Sequence, residues 1–381
     1  MIISRRNLLK LTASVSLLSS PLFNVVAAGL PKKNLIILIL RGGLDGLSTV
    51  FPSSEKNLLM MRPDLIEKKS FKLSSDFNLN PELKFFNKLW LNKKATVVHA
   101  TNIPYTGRSH FDGQNLMESG GRKPYELKTG WLGRGLEASG FNSVALSLHV
   151  PLLLRNTLNE NSNFFPTIFK IPSIELIEKV QKTYDQDHPV NKSLHSFTSR
   201  PVSMMSASNK RNIFKLINTS TKQISSEDGP RVAVIDIGGF DTHSQQSGLE
   251  GELTGKLRFV DKLFQTITKG LGKSFEKSII LTLTEFGRSI RQNGGLGTDH
   301  GYGSSMLLAG GLLKTNQVFT DWPGLNEKFL FEGRDLLSTI DARSIYCSAM
   351  SNCFYMDFNE LKSKVFYNEN LTDYSERIFK I

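Results

Sequence analysis

A chain of 381 residues, 39% of them apolar, is long enough to bury a large core as one large α/β domain or two smaller ones. Lys and Arg outnumber Asp and Glu by 47 to 35; that excess suits an anionic substrate or a cell-envelope polymer, and equally a solvated basic surface. No Lys/Arg block or aromatic-interleaved basic stripe occurs, which argues against nucleic acid, and two cysteines exclude a disulfide framework.

In chain order, residues 1–28 read as a targeting segment: Ser4-Arg5-Arg6-Asn7-Leu8-Leu9-Lys10, a weakly apolar stretch from Leu11 to Val26, then Ala27-Ala28. This resembles a twin-arginine export signal, with the translocase of that route as a partner during export and the periplasm or exterior as destination. Leu8 stands where Phe is more usual. The competing reading is an uncleaved anchor, which Ser14, Ser16, Ser19, Ser20 and Pro21 disfavour. No later segment holds the ~18 uninterrupted apolar residues of a spanning helix, so the mature chain is expected to have no stable membrane span.

Continuous apolar runs at Leu35–Leu40, Ala95–Val98, Val232–Ile237 and Ile279–Leu283, with a fifth at Ser305–Ala309, predict strands covered on both faces. The expected fold is therefore α/β, a mainly parallel sheet with helices on both sides. The clearest helix runs from Glu252 to Leu271, where Leu253, Leu257, Val260, Phe264, Ile267 and Leu271 form one face, and Gly270 and Gly272 supply its stop. Residues 29–381 are read as one domain. Within it, about 155–230 is Asn-, Ser- and Lys-rich and reads as an insertion or cap, with a helix near Ile174–Tyr184 and a loop at Ser203–Lys210.

Polar groups follow the predicted strands: Asp45 in Arg41-Gly42-Gly43-Leu44-Asp45-Gly46, Asp241 and His243 in Gly238–His243, Glu285 and Arg288 in Thr284–Arg288. Asp299 and His300 occupy Gly297-Thr298-Asp299-His300-Gly301. Ligands of open parallel sheets bind at the carboxyl ends of strands, so these residues can converge from distant parts of the chain. Carboxylates gathered with imidazoles repel one another without a cation, and one or two divalent ions make such a cluster favourable. Asp45 and Glu285 also fit helix caps or ion pairs with Arg41 and Arg288. Beyond the strand at Ala95–Val98, Ser109 opens a predicted helix, either as a nucleophile activated near a metal or as the first residue of a capping box with Asp112. Cys347 and Cys353 lack a C-x-x-C spacing or a His neighbour and fit buried packing or one local disulfide.

The twin-arginine start, Arg41–Gly46, Arg108-Ser109-His110-Phe111-Asp112-Gly113-Gln114, Gly130–Arg134, Gly239–His243, Thr284–Arg288, Asn293-Gly294 and Gly297–Gly301 together resemble the DUF1501 family. Asp321-Trp322-Pro323-Gly324-Leu325 and Asp341-x-Arg343 fit too. That family is grouped with the alkaline phosphatase and sulfatase superfamily, so the resemblance implies an alkaline-phosphatase-like fold with one or two divalent ions, Zn, Mn, Mg or Ca. It implies Asp241, His243 and His300 at one metal, Asp45 and Glu285 at a second, and Ser109 in the nucleophile's place; Asp299 is a further candidate metal ligand. Arg288 or Arg108 would take the non-bridging oxygens of an anionic ester, with His110 and Asn293 binding substrate. Two features depart from the superfamily: Asp241 and His243 are only two apart, and Glu285-Phe286 stands where an Asp-His pair is typical. The expected activity is exported, metal-dependent hydrolysis of a phosphate or sulfate ester through Ser109 or an activated water. The alternative is a noncatalytic exported protein that binds an envelope polymer.

Overall fold

The computed structural model describes residues 31–66, 69–146, 150–156, 161–163, 174–185, 213–248 and 250–380. Residues 1–28, read as a twin-arginine signal, and Ser203–Lys210, read as a loop, lie outside the described residues. In chain order the strands are β1 Asn34–Leu40, β2 Val50–Pro52, β3 Phe71–Lys72, β4 Phe77–Leu79, β5 Ala95–Asn102, β6 Ser143–Leu146 and β7 Asn161–Asn163. They continue with β8 Val232–Ile237, β9 Ser278–Leu283, β10 Arg288–Gln292, β11 Thr298–His300, β12 Ser304–Ala309, β13 Val318–Phe319 and β14 Ile340–Asp341.

Nine strands form the central sheet in the order β13-β5-β12-β9-β1-β8-β6-β7, with β14 also paired to β5. β1 is parallel to both β8 and β9, and β6 to β7 and β8. The apolar run at 305–309 is a strand as expected, but it runs antiparallel to both β5 and β9. A continuous apolar run reports two-sided burial and carries no direction, so the inversion was not readable from it.

Alternation along β1 assigns the two faces. Leu35, Ile37 and Ile39 join a core with the helices His110–Ser119, Trp131–Ser139, Ala342–Phe354 and Phe358–Phe366. Ile36, Leu38 and Leu40 join a second core with Lys84–Leu91, Ile213–Ser225 and Glu252–Leu271. All six predicted face residues of Glu252–Leu271 are buried. That helix runs through Gly270 and is capped at Gly272. Gly270 serves close packing: a Cβ there would sit 2.0 Å from Thr221 Oγ1 on the neighbouring helix.

Within the segment read as an insertion, the described residues form the edge strand β7, the helix Ile174–Gln181 and the sheet-covering helix Ile213–Ser225. Cys347 and Cys353 are buried free thiols, and burial pushes that of Cys353 up to about 12. Among the described residues no helix is long and apolar enough to cross a membrane.

Candidate metal centre

Four side chains from three separate segments meet beyond the carboxyl ends of the strands. Asp241 and His243 stand on the loop after β8, His300 ends β11, and His110 opens the helix His110–Ser119 that follows β5. Asp241 is their common point. His110 Nε2 lies 3.2 Å from its Oδ2, while His243 Nε2 and His300 Nε2 lie 2.9 and 3.0 Å from its Oδ1. The two latter imidazole nitrogens are 3.1 Å from each other. The loops approach so closely that Gly42, at φ 119°, would place a Cβ 2.3 Å from Asp241 N.

Each ring is held from behind. Glu285 Oε1 is 2.9 Å from His110 Nδ1, and the Arg108 carbonyl is 2.8 Å from His300 Nδ1. Asp299 Oδ1 is 3.5 Å from His243 Nδ1. Burial alone would raise the Glu285 pKa, but hydrogen bonds from His110, Gln114 and the Gly42 amide hold it below the ordinary value. An ionised carboxylate and a carbonyl only accept, so they assign the Nδ1 proton to His110 and His300. In the neutral rings both Nε2 lone pairs then face the Asp241 carboxylate.

Asp241 is itself held as an anion. Desolvation would raise its pKa, yet Arg288, with Nη1 at 2.6 Å from Oδ1, brings it to about 2. The hydrogen bond to Glu285 raises the His110 pKa against burial, whereas burial lowers that of His300. Converging lone pairs around a carboxylate are unfavourable unless the rings are protonated or a cation sits among them.

These residues fit a divalent ion. His110, Asp241 and His300 offer ligand atoms all within 4.8 Å of one another. His110 Nε2 is buried and makes no hydrogen bond, because its approach to Asp241 falls outside hydrogen-bond geometry. Imidazole nitrogen with carboxylate oxygen suits Zn²⁺ and its neighbours, and carboxylate or carbonyl groups behind the rings are the usual supports of metal-binding histidines. Asp241 and His243 are 40% and 45% exposed at the side chain, so a ligand could enter.

Other predicted site residues have different partners. Asp45 is not brought to the cluster: it is buried, pairs with Arg62 Nη1 at 2.7 and 2.8 Å, accepts from Gln246, and caps the short helix at Gly46. Glu285 reaches the cluster through the His110 ring and is fully buried. Arg288 turns inward, donating to Asp241, the Gly42 carbonyl and Thr298. Arg108 is bound to Asp335 and Glu332. Asn293 shapes its own turn, donating to the His243 carbonyl and Asp299.

Ser109 occupies the N-cap position, but no side-chain capping bond forms, so the predicted box with Asp112 is not made. It lies in the chain between the Arg108 carbonyl on His300 and the His110 ring. Sequence reasoning assigned His110 to substrate and missed it as a candidate ligand; its distance in sequence from the other histidines hid the convergence. Arg62 and Gln246, which fix Asp45, were missed because neither stands in a glycine-rich motif.

Residues 202–349 match the family model DUF1501, described as a protein of unknown function. The match takes in the Asp241, Glu285 and His300 loops and stops short of the segments around Asp45 and His110. No curated protein matches the chain. Solved structures with similarity include Ps i-CgsB, 11% identical over 91% of this chain and 76% of that one, with a TM-score of 0.45. Murine ectonucleotide pyrophosphatase/phosphodiesterase 5, an inactive form with AMP, is 9% identical over 86% and 96%, TM-score 0.43. The C-terminal periplasmic domain of EcEptC from Escherichia coli, in complex with Zn, is 10% identical over 74% of each chain, TM-score 0.35.

Proposed function

We propose that this chain is an exported hydrolase of phosphate or sulfate esters that depends on a divalent ion held by His110, Asp241, His243 and His300. The observation carrying this reading is the convergence of three imidazole Nε2 atoms on one carboxylate, with two Nδ1 atoms facing only acceptors. A divalent ion bound there would supply Lewis-acid polarisation of an ester oxygen.

The chain's own residues do the rest. Arg288 keeps Asp241 ionised, and Glu285 and the Arg108 carbonyl fix the rings of His110 and His300. Ser109 is the nucleophile on this reading, placed at the start of the helix whose first residue is His110. An anionic ester would meet Arg334 and Lys256, which hydrogen-bond the carbonyls of His300 and Gly238 at the cluster's edge.

One observation favours a second reading. Arg288 and Arg108, the cations offered by the sequence motifs, are both already paired with carboxylates. A noncatalytic protein binding an envelope polymer would need neither guanidinium free.

Substitution separates the two. Ser109→Ala and His300→Ala are expected to reduce turnover of aryl phosphate or sulfate esters by about a thousandfold or more while the fold persists. Turnover retained in Ser109→Ala and lost in His300→Ala would assign the attack to water. Absence of turnover in the metal-loaded parent over an ester panel would favour the binding protein.

A further inference from the structure

The Asp321–Leu325 motif has no part in the cluster, yet its Trp322 lines a surface cleft of about 460 Å³ along the β13 edge of the sheet. That volume lies within the ~300–1,000 Å³ of small-molecule sites. The lining also includes Asp76 and Phe77 of the β3-β4 hairpin and Asn316, Gln317 and Thr320.

The indole is fixed before any ligand arrives. Its Nε1 donates to Glu55 at 2.9 Å, and its ring meets Phe77 and His99 edge-on, with centroids 5.2 Å away in each case. Around it stand two carboxamides and several hydroxyls, which both donate and accept, and one carboxylate, which only accepts. The Thr320 hydroxyl oxygen is buried and has no hydrogen-bond partner among the described residues. Among the described residues no Lys, Arg or His lines the cleft. A lone carboxylate without a cation rejects anions, and an aromatic wall beside paired polar groups suits a ring with an apolar face and equatorial hydroxyls.

We propose that this cleft binds a neutral saccharide, separately from the His/Asp cluster. The test uses the full chain, titrated by calorimetry and saturation-transfer NMR with maltohexaose, cellohexaose, xylohexaose and tetramethylammonium. At least one hexasaccharide should bind, weaken by about tenfold or more in the Asn316→Ala, Gln317→Ala double variant, and bind unchanged to Asp241→Ala, His243→Ala. Both variants are checked for native near-ultraviolet dichroism. Trp322→Phe, which keeps an aromatic wall, should show an intermediate loss. The proposal is overturned if no hexasaccharide binds, if the double variant binds like the parent, if binding is lost with the cluster, or if tetramethylammonium displaces the sugar.

Discussion

Asp241 shows how one residue's surroundings decide its chemistry: Arg288 below and three imidazoles above make it an anion with a strong local need for positive charge. Glu285 acts one step further out, through the Nδ1 proton of His110. Glu285→Gln should therefore lower divalent-metal affinity by about 10- to 100-fold, measured by competition with a chelating dye, while leaving the fold intact. An unchanged affinity would remove Glu285 from the site. His99 offers a separate prediction on stability. It is fully buried, its Nδ1 accepts from the Ala100 amide and its Nε2 faces the Val50 carbonyl at 2.6 Å. Burial lowers its pKa to about 4 from an ordinary 6.5. The unfolded chain then binds the proton first as pH falls. Stability is fully present above about 6.5, declines through the interval down to about 4, and is reduced by roughly 3 kcal/mol below it. Urea titrations of the parent and His99→Gln across that interval should differ in slope by about one proton; equal slopes would contradict the assignment.

At the scale of elements, packing between helices and between loops explains residues whose roles their motifs do not reveal. Gly270 lets the helix Glu252–Leu271 lie against Ile213–Ser225, so Gly270→Ala should destabilise by about 1–3 kcal/mol despite Ala's better helix propensity. Thr221→Ala, which removes the obstructing hydroxyl, should recover part of that loss in the double variant; an additive loss would place the strain elsewhere. Arg62 is the corresponding joint between loops. It holds Asp45 and donates to the carbonyls of Ser289 and Ile290, and Gln246 then links Asp45 to Thr242 and Thr298. Arg62→Ala leaves a buried carboxylate unpaired and should cost about 3–5 kcal/mol in denaturant unfolding. A cost below about 1 kcal/mol would mean that Asp45 finds another partner. The helix Glu252–Leu271 was legible because its apolar period is long and regular. The inverted β12 and the role of Arg62 were not, since both depend on contacts that no local pattern encodes.

For the whole molecule, the parallel strands β1, β8 and β9 end on one side of the sheet, and the cluster is built from both halves of the chain: His110 on the helix after β5, Asp241 and His243 on the loop after β8, and His300 at the end of β11. The sequence placed Asp241, His243 and His300 together because each stands in a glycine-hinged loop near a strand. It read His110 as substrate-binding and left Asp45 and Glu285 open between metal ligands and caps or arginine pairs, because burial and hydrogen-bond partners arise only on folding, where Asp45 pairs with Arg62 and Glu285 bonds to His110. A second ion is thereby left without its two expected carboxylates. The decisive measurement is the metal content of the folded chain purified without chelator, beside an Asp241→Ala, His243→Ala variant. The account predicts about one divalent ion per chain, absent from the folded variant. No bound metal after reconstitution with Zn²⁺ and Mn²⁺, or equal metal in the variant, would contradict it.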